Sequence, residues 1–484
     1  MKTRLSNLRE WRRNLVWIFP ILLIPLLFLL KDNDFPEEKQ ISSLNVRTYG
    51  AKGNGTNDDT MAIQEALDQV KKSNKIIQVY IPSGNYKLTK TLKIYRNTHL
   101  ILEENSIFLR SHNNSFMING DYGDTYDGYN GNGNIVIEGG IWEGNILDYP
   151  DSYNAIGIAR AKNITIKNVV FRDISSFHAI DLSSSENVLI ENCKFLGFKD
   201  TTPNKSRFYS EAIQISEHTI FGFNAFGTFN GTPNKNVEIK NCIFGESGTK
   251  GTTAWPVGIG NHYTVYDKYN SNIKIHNNSF QGMTFAGIRN FKWYDTIIKN
   301  NKFINCSRGI FLSNPDGNGE SSKTIDGVQT ALPQSSKKTI ISGNTFERTQ
   351  KENIVGFGWE KNGIHAKIQS LKIENNVFNN QLGLNNRPSI FLSGISDLII
   401  TKNQFNHFGA GGITILNSNS FNITENILLT QDSKTNMAIL IGNNCESGTI
   451  KNNIFSLNNE QKNPINVEDT CTDIQTINNM IKID

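Results

Sequence analysis

The chain repeats one short pattern, and that pattern leaves few folds open. A polar residue, alternating aliphatics, Asn or Gly, and a closing aromatic recur. They read NIVIEGGIW from 134, NITIKNVVF from 163, NVLIENCKF from 187, NVEIKNCIF from 236 and NIKIHNNSF from 272. TIIKNNKF from 296, TIISGNTF from 339, LKIENNVF from 371 and LIITKNQF from 398 continue the series, with degenerate copies near 421, 449 and 474. Trp142, Phe171 and Phe195 are 29 and 24 residues apart, and Phe405 follows Phe378 by 27. Period-2 alternation inside a repeat of this length marks strands stacked as a solenoid. The LxxLxL signature of leucine-rich repeats is absent. Asn ahead of the aromatic suits a tight turn, because Asn tolerates the left-handed conformation. Stacked at about 4.8 Å per coil, the Asn and Phe residues would form internal ladders. Cys193, Cys242 and Cys306 are assigned to the slot of the second Asn, as buried thiols rather than bridges. The expected architecture is a parallel β-helix.

A second pattern precedes each nonapeptide: x-[small]-I-x-[aliphatic or Asn]. It reads NAIGI (154–158), HAIDL (178–182), EAIQI (211–215), VGIGN (257–261), AGIRN (286–290) and RGIFL (308–312). Aliphatic third and fifth positions point inward, so the fourth points outward. Gly157, Asp181, Gln214, Gly260 and Arg289 then share one outward column, with His178, Glu211 and Arg308 at the strand entries and His262 further along. Long insertions at 198–210, 217–235, 246–256, 262–271 and 313–337 flank these middle coils. Loops on a rigid scaffold are where sites are built. Trp255, Tyr263 and Trp293 are the loop and turn aromatics assigned to stack on sugar rings.

Composition narrows the class. Phe at 28 and Tyr at 14 exclude a disordered chain. Five cysteines without a CxxC pair exclude a disulfide framework and a zinc finger. The net charge of +4 is misleading, because residues 1–31 hold six Lys/Arg against one acid, leaving 43 basic and 44 acidic residues elsewhere. The exported part is therefore near neutral and carries no nucleic-acid footprint. The sequence sets no oligomeric state. Residues 15–30 are apolar throughout and span about 24 Å as a helix. They follow a basic stretch and lack a small-x-small cleavage site, so an uncleaved transmembrane signal anchor is expected. This gives a cytoplasmic tail (1–14), an anchor in the cell membrane (15–30), a linker (31–43) and an extracellular β-helix (44–484). Cleavage and secretion are the alternative.

Residues 44–94, LNVRTYGAKGNGTNDDTMAIQEALDQV and then VYIPSGNYKLTKTLKI, resemble the amino-terminal signature of the pectate-lyase-like β-helix superfamily. That resemblance covers roughly 44–484. It implies an all-β, single-stranded, right-handed parallel β-helix with an N-terminal capping helix. Asp58 or Asp59 is the expected N-cap, and Ala62, Ile63, Ala66, Leu67 and Val70 the buried side. GGIWEGN (139–145) is similar to a segment of polygalacturonase-type glycoside hydrolases. HAID, SEAIQI and PVGIGNHY follow in the order of that family's catalytic motifs. The match is partial: Glu211 replaces an Asp, His178 replaces another, and Val257 replaces a His, with His262 five residues on.

Glycoside hydrolysis needs two carboxyl groups about one bond. Glu211 is expected as general acid and Asp181 as base, one coil and three residues apart, with His262 as the third catalytic group. His178, Gln214, Arg289, Arg308, Trp255, Tyr263 and Trp293 are expected to bind the polysaccharide. No metal or cofactor is expected for hydrolysis. The alternative is a polysaccharide lyase or uronate epimerase, where Arg289 or Arg308 with His262 would act and calcium would be the one cofactor to consider. A non-catalytic polysaccharide-binding solenoid is the third reading.

Overall fold

A computed structural model describes residues 42–430, 437–457 and 463–482. The expected tail, the anchor and almost all of the linker lie outside the described residues. Among the described residues no helix is long and apolar enough to cross a membrane.

The repeat builds the expected solenoid. Among the described residues nearly every strand pairs in parallel with its counterpart one coil away, giving one sheet of 26 strands and another of 15. The closing aromatics form an inner ladder. Phe195, Phe244, Phe280, Phe303, Phe346, Phe378 and Phe405 stack with successive centroids 4.5 to 5.0 Å apart. That spacing is the coil rise itself, so each ring covers the next. Beside it runs the Asn ladder. The Asn376 side chain donates to the Ile341 carbonyl (2.9 Å) and to Asn403 Oδ1 (3.0 Å), while its Oδ1 accepts from the Asn344 amide (2.9 Å). Asn278, Asn301, Asn344, Asn403, Asn426 and Asn453 repeat the arrangement. Each amide satisfies backbone groups that the turn would otherwise leave unpaired.

Cys193 and Cys242 stand in this ladder, the Cys242 amide donating to Asn278 Oδ1. Cys306 does not. It sits three residues past Phe303, its slot in the ladder being filled by Asn301, although it is buried as expected. The motif phase was misread there because NKFINC carries an Asn on both sides of the aromatic.

The amino end is closed by helix α1 (Thr60–Lys71), which buries Ile63, Ala66, Leu67 and Val70, with Ala62 partly covered. Asp59 is the N-cap residue, one of the two expected, but its side chain does not bond the helix. Its carboxylate accepts from the Lys52 and Gly53 amides instead, which ties down the Gly-rich turn. Asp58 accepts from the Thr60 amide at the helix start.

Six strands carry the outward column: β1 (Ile156–Lys167), β2 (Ile180–Glu191), β3 (Glu211–Ser216), β4 (Val257–Gly260), β5 (Ala286–Phe291) and β6 (Ile310–Ser313). Their register pairs Gly157 with Asp181, Asp181 with Gln214, Gln214 with Gly260, Gly260 with Arg289, and Arg289 with Phe311. The column read from the alternation is therefore the column in the fold. The small residue ahead of each Ile has a steric cause. A Cβ on Gly258, Gly287 or Gly309 would lie 2.5, 2.4 or 2.3 Å from a ring of the Phe ladder. The chain presses against the aromatics at that slot, and the preceding residue turns outward. His178 and Glu211 occupy that preceding position.

Candidate functional site

A cavity of about 620 Å³ opens over the middle coils. His178, Gln214, His262, Tyr263 and Arg289 line it, as expected from the sequence. Asn154, Arg207, Glu217, Phe311, Trp359 and the 314–321 loop also line it.

Glu211 lies fully buried at the start of β3, beside His178 of the adjacent coil. His262 Nδ1 sits 2.9 and 3.2 Å from the two Glu211 carboxylate oxygens. His178 Nδ1 lies 2.7 Å from the Glu211 backbone carbonyl, which fixes it as the donor there. Burial would raise the Glu211 pKa, but the fields of His262, His178 and Arg289 and the His262 hydrogen bond hold it below the ordinary carboxylate value. Burial pulls His178 down to about 4, so its ring is neutral near pH 7. Glu211 is thus an anion whose hydrogen-bonded partner is His262. That hydrogen bond turns the Nε2 edge of the His262 ring away from Glu211.

Asp181 lies one coil away and is also fully buried. Asn154 Nδ2 donates to Oδ2 (2.9 Å) and Gln214 Nε2 to Oδ1 (3.2 Å). Burial pushes its pKa up to about 7, against the Gln214 hydrogen bond. The two carboxyls are therefore shifted in opposite directions, Glu211 down and Asp181 up, in the reverse sense to the expected roles. Neither lies on the cavity surface; both stand behind residues that do.

The raised pKa of Asp181 sets a pH dependence. A group protonated more readily in the fold stabilises it fully below the unfolded value of 3.8, and that contribution is lost as pH rises through about 7. Asp181→Asn removes this titration. We expect the variant to gain on the wild type by roughly 1 kcal/mol per pH unit between about pH 4 and 7. Thermal unfolding of both proteins at pH 5 and pH 8 checks it; a constant gap would refute the assignment.

Arg289, paired with Gly260 on one side and Phe311 on the other, reaches the cavity among aromatic rings. Its guanidinium carbon lies 5.6 to 5.9 Å from the centroids of Tyr209, Phe285, Phe291 and Phe311. Its Nε is buried and has no hydrogen-bond partner among the described residues. Burial lowers its pKa against the field of Glu211, which raises it.

Three expected binding residues are elsewhere. Trp255 and Trp293 are fully buried, Trp255 packing against Phe198 at 4.9 Å. They hold loops to the solenoid and cannot stack on a sugar. Arg308 is drawn away by the buried Glu352, with Nε to Oε2 at 2.9 Å. Conversely, Trp359 and Glu217 were missed. Trp359 lies on a hairpin far along the sequence, which no local signal links to the cavity. Glu217 directly follows EAIQIS. Its Oε1 accepts from Thr264 (2.8 Å), its Oε2 has no partner, and burial raises its pKa against the field of Lys292.

His178, Glu211 and His262 offer one ligand atom each within 4.8 Å of one another. His₂Glu is a donor set that zinc accepts. In this arrangement His262 Nδ1 lies against the Glu211 carboxylate and His178 Nδ1 against its carbonyl.

A family model described as rhamnogalacturonase A/epimerase, pectate lyase-like, matches residues 43–332. The chain belongs to that family. It is 28% identical over 430 residues to the plasmin and fibronectin-binding protein A of Streptococcus pneumoniae, covering 82% of this chain and 59% of that protein. It thus spans about three fifths of that relative's length. The crystal structure of PfbA, a surface adhesin of Streptococcus pneumoniae, is similar with a TM-score of 0.66 at 26% identity, over 90% of this chain and 91% of that one. The family 28 exopolygalacturonase of Yersinia enterocolitica gives 0.57 at 15% identity, over 90% and 78%. At that identity the likeness is one of fold, the right-handed parallel β-helix.

Proposed function

We propose that this chain is an extracellular, membrane-anchored carbohydrate-active enzyme that holds an acidic polysaccharide in the cavity and removes the proton beside a uronate carboxylate, as a lyase or epimerase does. The observation that carries this reading is the Glu211–His262 pair, which presents a single oriented base to the cavity beside Arg289. The substrate carboxylate meets the Arg289 guanidinium, which lines the cavity. This supplies the charge that makes the neighbouring C–H acidic. His262 Nε2 takes the C5 proton. In elimination the C–H electrons form the C4–C5 double bond and the C4–O4 bond breaks. The imidazolium then returns its proton to the leaving oxygen. Epimerisation differs only after this first step: His262 keeps the proton it took, and a second donor on the opposite face of C5 must supply the new one. Glu211 acts through His262, fixing its tautomer and stabilising its charged form. Calcium is not required by this assignment, since Arg289 carries the neutralising charge. Tethering by residues 15–30 is supported by their apolar run and basic flank.

Glycoside hydrolysis is the second reading, favoured by the opposite pKa shifts of Asp181 and Glu211 on adjacent coils. It requires Gln214 and Asn154 to release Asp181, which would then be the proton donor. The experiment is one assay on a panel of acidic polysaccharides. Elimination yields an ultraviolet-absorbing unsaturated uronate, hydrolysis yields reducing ends without that absorbance, and epimerisation changes uronate stereochemistry without either. If no polysaccharide is changed while plasmin or fibronectin is bound, the enzyme reading fails and a binding role like that named for the pneumococcal relative replaces it.

A further inference from the structure

The outward face of the solenoid is blocked on both sides of the cavity. Upstream, the 217–234 insertion folds back over the column. Phe223 lies where a Cβ on Gly157 would stand, 2.5 Å from one. Phe223, Ala225 and Phe226 form a small buried cluster with Ile118 and Ala159, and Tyr126 packs against it. Arg160 clamps the same loop through Asn230 Oδ1 (2.6 Å) and Thr232 Oγ1 (2.8 Å), and His218 holds it through the Phe226 carbonyl (2.9 Å). This is a packed plug with its own apolar core.

Downstream, the 314–336 insertion forms the opposite wall. It is pinned by a hairpin of strands Trp359–Lys361 and Ile364–Ala366, which belongs to a later coil. Trp359 Nε1 donates to the Asn314 carbonyl (2.7 Å). Lys361 Nζ donates to the Gly317 carbonyl (3.0 Å) and to Asn318 Oδ1 (2.6 Å). The 314–336 loop is also joined to the 261–270 loop, the Tyr266 amide donating to the Lys323 carbonyl (2.8 Å).

A polymer lying along the solenoid needs a groove open at both ends. We infer that this cavity instead receives a chain terminus or short branch of its glycan, and that the Trp359–Lys361 hairpin sets how many sugars enter. At about 620 Å³ the cavity falls in the range that encloses a drug-sized molecule, roughly three sugar rings. The inference rests on the acidic-glycan reading above and adds the mode of engagement.

Titration calorimetry of the full chain with acidic oligosaccharides of about two to ten sugars, in galacturonate, alginate and hyaluronan series, tests it. In the series that binds, affinity should reach a plateau at about three sugars, and chains carrying a bulky group at both ends should bind at least about tenfold more weakly. Affinity that keeps rising to the longest chain, with doubly blocked chains bound as well as free ones, overturns the inference while leaving the acidic-glycan reading standing. Absence of binding in every series overturns that reading and this inference with it. The double variant Trp359→Phe with Lys361→Ala keeps an aromatic face and removes the three hairpin bonds. It should move the plateau to longer chains; an unmoved plateau overturns the role of the hairpin.

Discussion

His262→Ala should lower turnover of the acidic polysaccharide by about 10²- to 10⁴-fold, the span ordinarily contributed by a positioned general base. The substitution leaves Glu211 as a buried anion without its closest hydrogen-bond partner, so some loss of stability accompanies it. Added imidazole separates the two effects. Free imidazole diffusing into the vacated space should restore part of the turnover without restoring the melting temperature. Glu211→Gln keeps the shape and removes the charge. It should cost a comparable factor, because a neutral partner no longer stabilises the imidazolium or enforces its tautomer. Full activity in Glu211→Gln would sink the assignment of the pair.

The second large effect is structural. Phe303→Ala removes a fully buried ring stacked at 5.0 Å on Phe280 and 4.7 Å on Phe346. A destabilisation of about 3–5 kcal/mol is expected. Gly287 faces that ring, and a Cβ there would lie 2.4 Å from it. Gly287→Val alone should destabilise by at least about 1–3 kcal/mol through overpacking. Combined, the two should cost clearly less than their sum, because the valine fills space the ring has left. Chemical unfolding of the wild type, both single variants and the double variant supplies the cycle. Simple additivity would show that the small slot is not dictated by the aromatic ladder.

What was legible in the sequence was whatever the coil repeat dictates. The outward column from Gly157 to Arg289 follows from alternation alone, and the register reproduces it residue by residue. The Asn and Phe ladders were legible for the same reason. The small residue before each Ile was visible as a pattern, but its cause lies across the interior in the Phe rings. The insertions have no period, so nothing local distinguished Trp255 and Trp293, which pack inward, from Trp359, which reaches the cavity. Arg308 was misplaced because its partner Glu352 comes from the next coil, across a long insertion. The roles of Asp181 and Glu211 depend on which groups surround each buried carboxyl. His262 reaches back to Glu211 over 51 positions of sequence, and that contact decides which acid is ionised.

The Asn ladder also determines how damage spreads. Each rung bonds its neighbours, so loss of order should advance one coil at a time, like a zipper opened from an end. Among the described coils, Thr472–Ile477 is largely exposed, so its rung is the least covered. The cavity-bearing coils lie many rungs away, each rung a separate barrier. Loosening of those outer rungs would therefore leave the chemistry intact.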